Sequence, residues 1–218
     1  MELIRGISGI RGIVGKSLTE PVIIKHIQAF SEVQSAGDIL LARDSRTHGE
    51  SFIHTAAEAL SKCGRNVIVY GIIPTPTAQF LVEKNNMAGG IVITASHNPL
   101  EWNGLKFIDR GGCFLDSDKN INLFEIADSD PTAKHNTGSV QSIENGYLPH
   151  ITHTRGLSVI DTKAIEQRNF SIVVDAVNGA ASRALPTMVE ALGCTVFRLY
   201  CEPDGEFPRG TEPLPHNL

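Results

Sequence analysis

The stretch that decides the fold is residues 90–108, GIVITASHNPLEWNGLKFI. Residues 90–94 form the short apolar run of a strand buried on both faces, and residues 95–103 have the composition of a loop. Residues 104–108 predict a second strand, which starts too soon for a helical crossover, because a parallel neighbour needs a connection of about a dozen residues or more. We therefore expect these two strands to be antiparallel.

Upstream of this stretch, apolar strands alternate with helices. Residues 38–42 and 67–70 predict strands, and apolar residues recur at helical spacing over 23–33, 52–60 and 77–84. This alternation is typical of an α/β domain with a mixed, mostly parallel sheet sandwiched between helices.

A polar stretch at 128–145 predicts a boundary between two domains, residues 1–146 and residues 147–218. The second part contains a predicted strand–helix–strand unit at 171–175, 181–192 and 195–199. It is short, so we expect an incomplete second α/β domain whose exposed edges favour self-association.

The composition is that of an ordinary globular protein, with 41% hydrophobic and 20% charged residues in a chain of 218. The net charge of −5 and the absence of a lysine or arginine run argue against binding to nucleic acid or to an anionic membrane. We see neither a secretory signal nor an apolar run of the ~18 residues that a membrane helix needs. We therefore expect a soluble cytoplasmic protein with four free cysteines.

Ser96 follows the buried strand 90–94, at the sheet edge where α/β proteins bind ligands, and is a candidate nucleophile. The neighbouring His97 is a poor general base for it, because adjacent side chains usually point apart, and no Gly-x-Ser-x-Gly motif is present. Phosphoryl transfer fits better, since it depends on positioning and charge neutralisation. The alternative is that residues 96–99 are only a polar turn.

Two basic residues could hold a phosphoryl group beside Ser96. Lys106 lies on the following strand, although a lysine on the solvent face of an edge strand would look the same. Arg11 lies between glycines in residues 6–12, which we expect to serve the site as an arm outside the sheet. Residues 43–46, Arg-Asp-Ser-Arg, are open to the plainer interpretation of an ion-paired turn. The patterns of a Walker loop, a dinucleotide-binding loop, a zinc site and a histidine metal site are all absent from the sequence.

Taken together, four segments resemble the α-D-phosphohexomutase family in their order and spacing. They are Ser8–Gly12, Arg43–Arg46, Pro74–Pro76, and Thr94–Pro99 followed by Asn103–Lys106. Residues 174–180 and 202–205 also resemble the second domain of that family, so the similarity spans essentially the whole chain.

The resemblance implies a phosphoserine at Ser96 that exchanges its phosphoryl group with a hexose phosphate through a bisphosphate intermediate. Lys106 and Arg11 match positions that assist transfer, and His97 matches the position beside the nucleophile. It also implies a Mg²⁺ ion bound by the Ser96 phosphate, and hexose 1,6-bisphosphate as activator. The identity of the hexose stays open.

The family has four domains, and its aspartate loop for Mg²⁺ has no counterpart in these residues. We therefore expect an N-terminal portion of a phosphohexomutase, with the remaining Mg²⁺ ligands beyond residue 218 and no turnover by residues 1–218 alone. The alternative is a truncated, non-catalytic module that binds sugar phosphate or assembles with another chain.

Overall fold

A computed structural model describes residues 2–131 and 137–217. Residues 132–136, within the polar stretch predicted to separate the domains, lie outside the described residues. The elements in chain order are β1 (Ile4–Gly6), β2 (Gly9–Ile13), α1 (Glu20–Val33), β3 (Ile39–Arg43), α2 (Gly49–Lys62), β4 (Val67–Ile72), α3 (Thr75–Lys84), β5 (Gly89–Ile93), β6 (Trp102–Asp109), α4 (Ser117–Asp128), β7 (Val140–Ser142), α5 (Leu148–Arg155), α6 (Thr162–Gln167), β8 (Ser171–Asp175), α7 (Ala184–Ala191) and β9 (Thr195–Leu199).

The main sheet has seven strands in the order β1-β2-β6-β5-β3-β4-β7. Strands β3, β4, β5 and β7 are parallel to one another, and β6 is antiparallel to both of its neighbours, β5 and β2. Strand β2 therefore points the same way as the parallel group, and only β1 and β6 run in the opposite direction. The mixed, mostly parallel sheet and its antiparallel β6 are confirmed.

The central strands β3 and β5 are buried on both faces, because helices cover the sheet from two sides. Ile39 and Leu41 of β3 point into the core beneath α1, α2 and α4, whereas Leu40 and Ala42 point toward α3 and α5. All four residues are fully buried. This alternation follows from the two-residue period of a strand, and it explains why the segment is apolar throughout.

The structure corrects two expectations about the sheet. The glycine-rich start is not an arm outside the sheet: it forms the hairpin β1–β2, and β2 is an interior strand with Ile10 in the core. The polar stretch before the second part also contributes a short strand, β7, which pairs with β4. Both strands are easy to miss, since glycine is depleted in strands and β7 has only three residues, all exposed.

The second part contains the predicted strand–helix–strand unit, in which β8 and β9 pair in parallel and α7 connects them. Val173 and Phe197 on this two-stranded sheet are exposed by 66% and 58%. Helix α5 packs against α3, and its Ile151 joins the core of the main sheet. The boundary near residue 146 stays a prediction.

Two further expectations concern the cysteines and the membrane. All four cysteines are free thiols, as predicted. Within the described residues, no helix combines the length and the apolar character needed to cross a membrane.

His26 is a fully buried histidine on the inner face of α1. Its Nδ1 donates a hydrogen bond of 2.7 Å to the backbone oxygen of Val22, and its Nε2 lies 3.4 Å from the guanidinium of Arg5. Burial, together with the nearby charges of Arg5 and Lys25, lowers the pKa of His26 to about 4, although the hydrogen bond to Val22 opposes the shift. The folded protein therefore holds this ring neutral at pH values where an exposed histidine takes up a proton.

This neutral ring should make the free energy of unfolding fall as the pH drops from 6.5 toward 4, because only the unfolded chain binds the proton in that range. At pH 5 the loss from His26 should be about 1–2 kcal/mol relative to pH 7. Urea denaturation of the wild type and of His26→Gln at both pH values measures it. The variant should lose less stability than the wild type, whereas His54→Gln, at an exposed histidine of α2, should behave like the wild type. Equal losses in all three proteins would contradict the assignment.

Candidate functional site

The site lies where β3 and β5 end, because these neighbouring parallel strands deliver their following loops to the same edge of the sheet. The turn after β3 contains Asp44 and Arg46, and the loop after β5 contains Thr94 and Ser96. Asp44 N donates a 3.0 Å hydrogen bond to the backbone oxygen of Ile93, which joins the two loops directly at their base.

Ser96 has an exposed side chain and a left-handed backbone, with φ of +56°. That conformation is uncommon for a residue with a Cβ atom, and strained backbone of this kind clusters at functional sites. The rest of the loop is held by Asn98, whose side chain and backbone both donate to the oxygen of Ala95, at 2.7 and 3.1 Å. The loop is therefore an ordered turn that presents Ser96 outward.

Arg46 is fully buried. Its side chain binds the backbone oxygens of the loop after β5, which is called the serine loop below. Its guanidinium donates to the oxygens of Ser96, Asn98 and Pro99 at 3.1, 2.6 and 2.7 Å. Its Nε donates to the carboxylate of Asp44 at 3.1 Å. Burial lowers the pKa of Arg46, and the charge of Asp44 opposes that shift. The predicted ion-paired turn is present, and its arginine also anchors the loop of the candidate nucleophile.

The four predicted site residues line one cleft of about 300 Å³: Ser96, Lys106, Arg11 and His97. Arg11 of β2 lies opposite Gly104, and Gly9 lies opposite Lys106, so the two cations are on the same face of neighbouring strands. The structure thus brings two positive charges and the Ser96 hydroxyl to a single cavity. Such a cavity is suited to a phosphorylated ligand.

Lys106 is half-buried on an interior strand, so the alternative of a solvent-facing lysine on an edge strand does not apply. The pKa of Lys106 is lowered, mainly because burial disfavours the charged amine. The charge of Asp44 opposes this shift, and the charge of Arg11 adds to it. Its Nζ lies 5.5 Å from the centroid of the Phe114 ring. The amine is therefore held in a partly desolvated position, where a charge acts more strongly on a ligand than it does in water.

His97 is exposed beside the cleft, and its Nε2 lies 3.7 Å from the carboxylate of Glu212. This distance is too long for a hydrogen bond, and both side chains are about half exposed, so the pair is a weak one. His97 is therefore close to the cleft without being fixed in it by the residues that the structure describes.

A segment of the second part, residues 205–212, packs on the outside of the serine loop. The Phe207 ring lies 5.2 Å from the guanidinium carbon of Arg46, a cation–π contact. Thr211 Oγ1 donates to the backbone oxygens of His97 and Asn98, at 2.6 and 3.0 Å. Gly205 lies against the backbone of Ser45. The serine loop is thus held from both parts of the chain.

A magnesium site is not complete in this part of the chain. Within residues 2–131 and 137–217, no group of three or more histidine, cysteine, aspartate or glutamate side chains is arranged to hold a metal ion. Asp44 is buried behind the serine loop and already accepts hydrogen bonds from Arg46 and Thr94. Mg²⁺ prefers near-octahedral oxygen ligation, and among the described residues no aspartate or glutamate lines the cleft.

A second cavity of about 410 Å³ lies at the opposite end of the sheet, between α1 and the loop after α2. Its cation, Arg65, donates to the backbone oxygens of Ser31, Gln34 and Ser35. These bonds satisfy the carbonyl groups at the C-terminal end of α1. Arg65 therefore serves the helix and not a ligand, and the smaller cleft at Ser96 is the candidate site.

Three of the residues that build the site were not identified as such from the sequence: Asp44, Arg46 and Thr94. The available signal was the Arg-Asp-x-Arg turn directly after a buried strand, which indicated an ion pair but not its contact with the serine loop.

Comparisons with known proteins agree with this geometry. The family model described as phosphoglucomutase/phosphomannomutase, alpha/beta/alpha domain I, matches residues 2–134, and the model for domain II matches residues 145–218. A phosphoglucomutase/phosphomannomutase of Thermococcus kodakarensis is 35% identical over 98% of this chain and 48% of its own length. A phosphoglucosamine mutase of Corynebacterium glutamicum is 33% identical over 91% of this chain and 46% of its own length.

Among solved structures, a phosphoglucomutase/phosphomannomutase family protein of Burkholderia thailandensis superposes with a TM-score of 0.76 at 29% identity. The match covers 94% of this chain and 45% of that one. The chain spans about half the length of the curated relatives it matches.

The packing of residues 205–212 on the serine loop can be tested with two glycines of nearly equal φ, Gly205 at +77° and Gly210 at +78°. Alanine should cost about 1 kcal/mol at Gly210, where only the side chain of Asn217 is near. At Gly205 it should cost roughly 1–3 kcal/mol more, because the new Cβ would overlap the backbone of Ser45. Urea denaturation gives both costs, and amide hydrogen exchange of residues 96–98 should accelerate only in Gly205→Ala. Equal behaviour of the two variants would contradict the packing.

Proposed function

Because this chain belongs to the phosphoglucomutase/phosphomannomutase family, we propose that it forms the phosphoserine-bearing portion of an enzyme that interconverts hexose 1-phosphates and hexose 6-phosphates. The observation that carries the proposal is the left-handed Ser96 at the mouth of a cleft that also contains Lys106 and Arg11. The sugar-phosphate mutases among its relatives support the substrate class.

In the proposed reaction, a hydroxyl oxygen of the sugar phosphate attacks the phosphorus on Ser96. A new oxygen–phosphorus bond forms as the bond to Ser96 Oγ breaks, which gives a hexose bisphosphate. The sugar hydroxyl loses a proton and Ser96 Oγ gains one, so the proton count is unchanged. The bisphosphate then returns its other phosphoryl group to Ser96 by the reverse step, and the isomeric monophosphate leaves.

Lys106 and Arg11 would act on the transferring phosphoryl group, whose oxygens carry the charge of the transition state. Two cations fixed on neighbouring strands need little reorganisation when the charge moves, and this is the main source of stabilisation in such transfers. His97, exposed beside Ser96, would contact the substrate at the entrance of the cleft.

We further propose that Mg²⁺ neutralises charge on the Ser96 phosphate when it is bound, with its remaining ligands supplied from outside the described residues. Hexose 1,6-bisphosphate would act as the activator that phosphorylates Ser96. On this proposal, residues 1–218 alone do not turn over hexose phosphates.

Phosphorylation of Ser96 is the direct test. The native protein in which these residues occur should carry one phosphoryl group on Ser96 after incubation with hexose 1,6-bisphosphate and Mg²⁺, as measured by intact mass and peptide mapping. Ser96→Ala should carry none and should lose activity, whereas Ser51→Ala, at an exposed serine of α2, should match the wild type. A protein that never acquires phosphate on Ser96 would favour the non-catalytic sugar-phosphate-binding module instead.

Lys106→Ala should lower kcat by roughly 10²-fold or more while changing KM far less, because a charge on the moving phosphoryl group acts mainly in the transition state. Lys62→Ala, at an exposed lysine on α2, provides the control. Unchanged kcat in Lys106→Ala would remove the proposed role.

A further inference from the structure

The left-handed backbone of Ser96 needs an explanation, because such a conformation costs of order 1–3 kcal/mol for a residue with a Cβ and persists only where the surroundings enforce it. Within the described residues, Ser96 Oγ makes no hydrogen bond. The contacts that hold Ser96 are therefore made by its backbone, and they leave the hydroxyl free.

The amide of Ser96 is held by Thr94. Ser96 N donates to Thr94 Oγ1 at 3.0 Å, and Thr94 Oγ1 donates in turn to Asp44 Oδ2 at 2.6 Å. A hydroxyl has one proton, and the buried carboxylate of Asp44 takes it, so the oxygen of Thr94 has only its lone pairs to offer to Ser96. The direction of both bonds is thereby fixed, and the charge of Asp44 strengthens the chain of bonds.

The carbonyl of Ser96 is held by Arg46, and Arg46 is held by the same carboxylate. Its Nη2 donates to Ser96 O at 3.1 Å, while its backbone N and its Nε donate to Asp44 Oδ1 and Oδ2 at 3.0 and 3.1 Å. Asp44, Thr94 and Arg46 are exposed by 8%, 6% and 0%. One buried carboxylate thus fixes Ser96 from its amide through Thr94 and from its carbonyl through Arg46.

We propose that Thr94 and Asp44 are positioning residues for Ser96, which hold its backbone left-handed through the amide so that Oγ enters the cleft beside Lys106. This inference rests on the proposed function for its catalytic consequence. Because the loop is anchored by its backbone and not by the serine hydroxyl, phosphorylation and dephosphorylation of Ser96 break none of the bonds that position it.

Thr94→Val and Thr94→Ser provide a matched pair for the test. Valine keeps the shape of threonine and removes the hydroxyl, whereas serine keeps the hydroxyl and removes only a methyl group. In the native protein, Thr94→Val should exchange the Ser96 amide hydrogen roughly tenfold faster, the loss expected for one hydrogen bond. The kcat of Thr94→Val should fall by about tenfold or more. Its KM should change by less than about twofold, since the ground-state contacts of the substrate remain. Thr94→Ser should restore both values to within about threefold.

Hydrogen exchange of the amides in β3, β5 and β6 reports whether each variant is folded. If Thr94→Val fails that check, Thr94→Ala takes its place, because alanine also removes the hydroxyl and leaves the buried ion pair of Asp44 and Arg46 intact. The same acceleration at Ser96 is then expected.

The proposal is overturned if the exchange rate of the Ser96 amide and the kcat are both unchanged in the folded variant. It is also overturned if Thr94→Ser is impaired as strongly as Thr94→Val, because that result would assign the effect to the methyl group. A failure of the proposed function looks different. In that case the wild-type protein carries no phosphate on Ser96. The amide exchange rates of Thr94→Val and Thr94→Ser still decide whether Thr94 holds the loop.

Discussion

The buried ion pair of Asp44 and Arg46 is the interaction on which the site depends. Removing two charges from water is costly, and their mutual attraction offsets that cost only when the remaining donors and acceptors also find partners. Here they do: the guanidinium also binds three backbone oxygens of the serine loop, and the carboxylate also accepts from Thr94 and from the backbone of Arg46. Together these bonds hold the loop in the arrangement that presents Ser96.

Sequence reasoning identified most of the fold because its signals are local. The nine residues between 94 and 104 are too few for a crossover, so the antiparallel direction of β6 followed from chain geometry alone. Strand β2 was missed because its stability comes from pairing with β6, and its glycines suggested a loop. Ser96 and His97 were identified because they directly follow a buried strand, Lys106 because it lies on the next strand, and Arg11 because glycines flank it. The hydrogen bond from Thr94 to Asp44 was not identified, because it depends on the register of two strands fifty positions apart.

The packing of residues 205–212 on the serine loop connects the two parts of the chain at the site itself. Phe207 covers a guanidinium whose other contacts lie within the first part, and Thr211 binds two carbonyl groups of the loop. A movement of residues 205–212 would therefore act directly on the backbone of residues 96–98. The position of Ser96 is for this reason a property of both parts.

The place of β2 within the sheet has a consequence for the order in which the protein folds. Strand β2 precedes its neighbour β6 in the chain by three helices and three strands. Such long-range pairing is slow, since the entropy of closing the loop is lost before the contact is gained. Arg11 thus reaches Lys106 late in folding, and until then the edges of β2 and β6 are open to pairing with other chains.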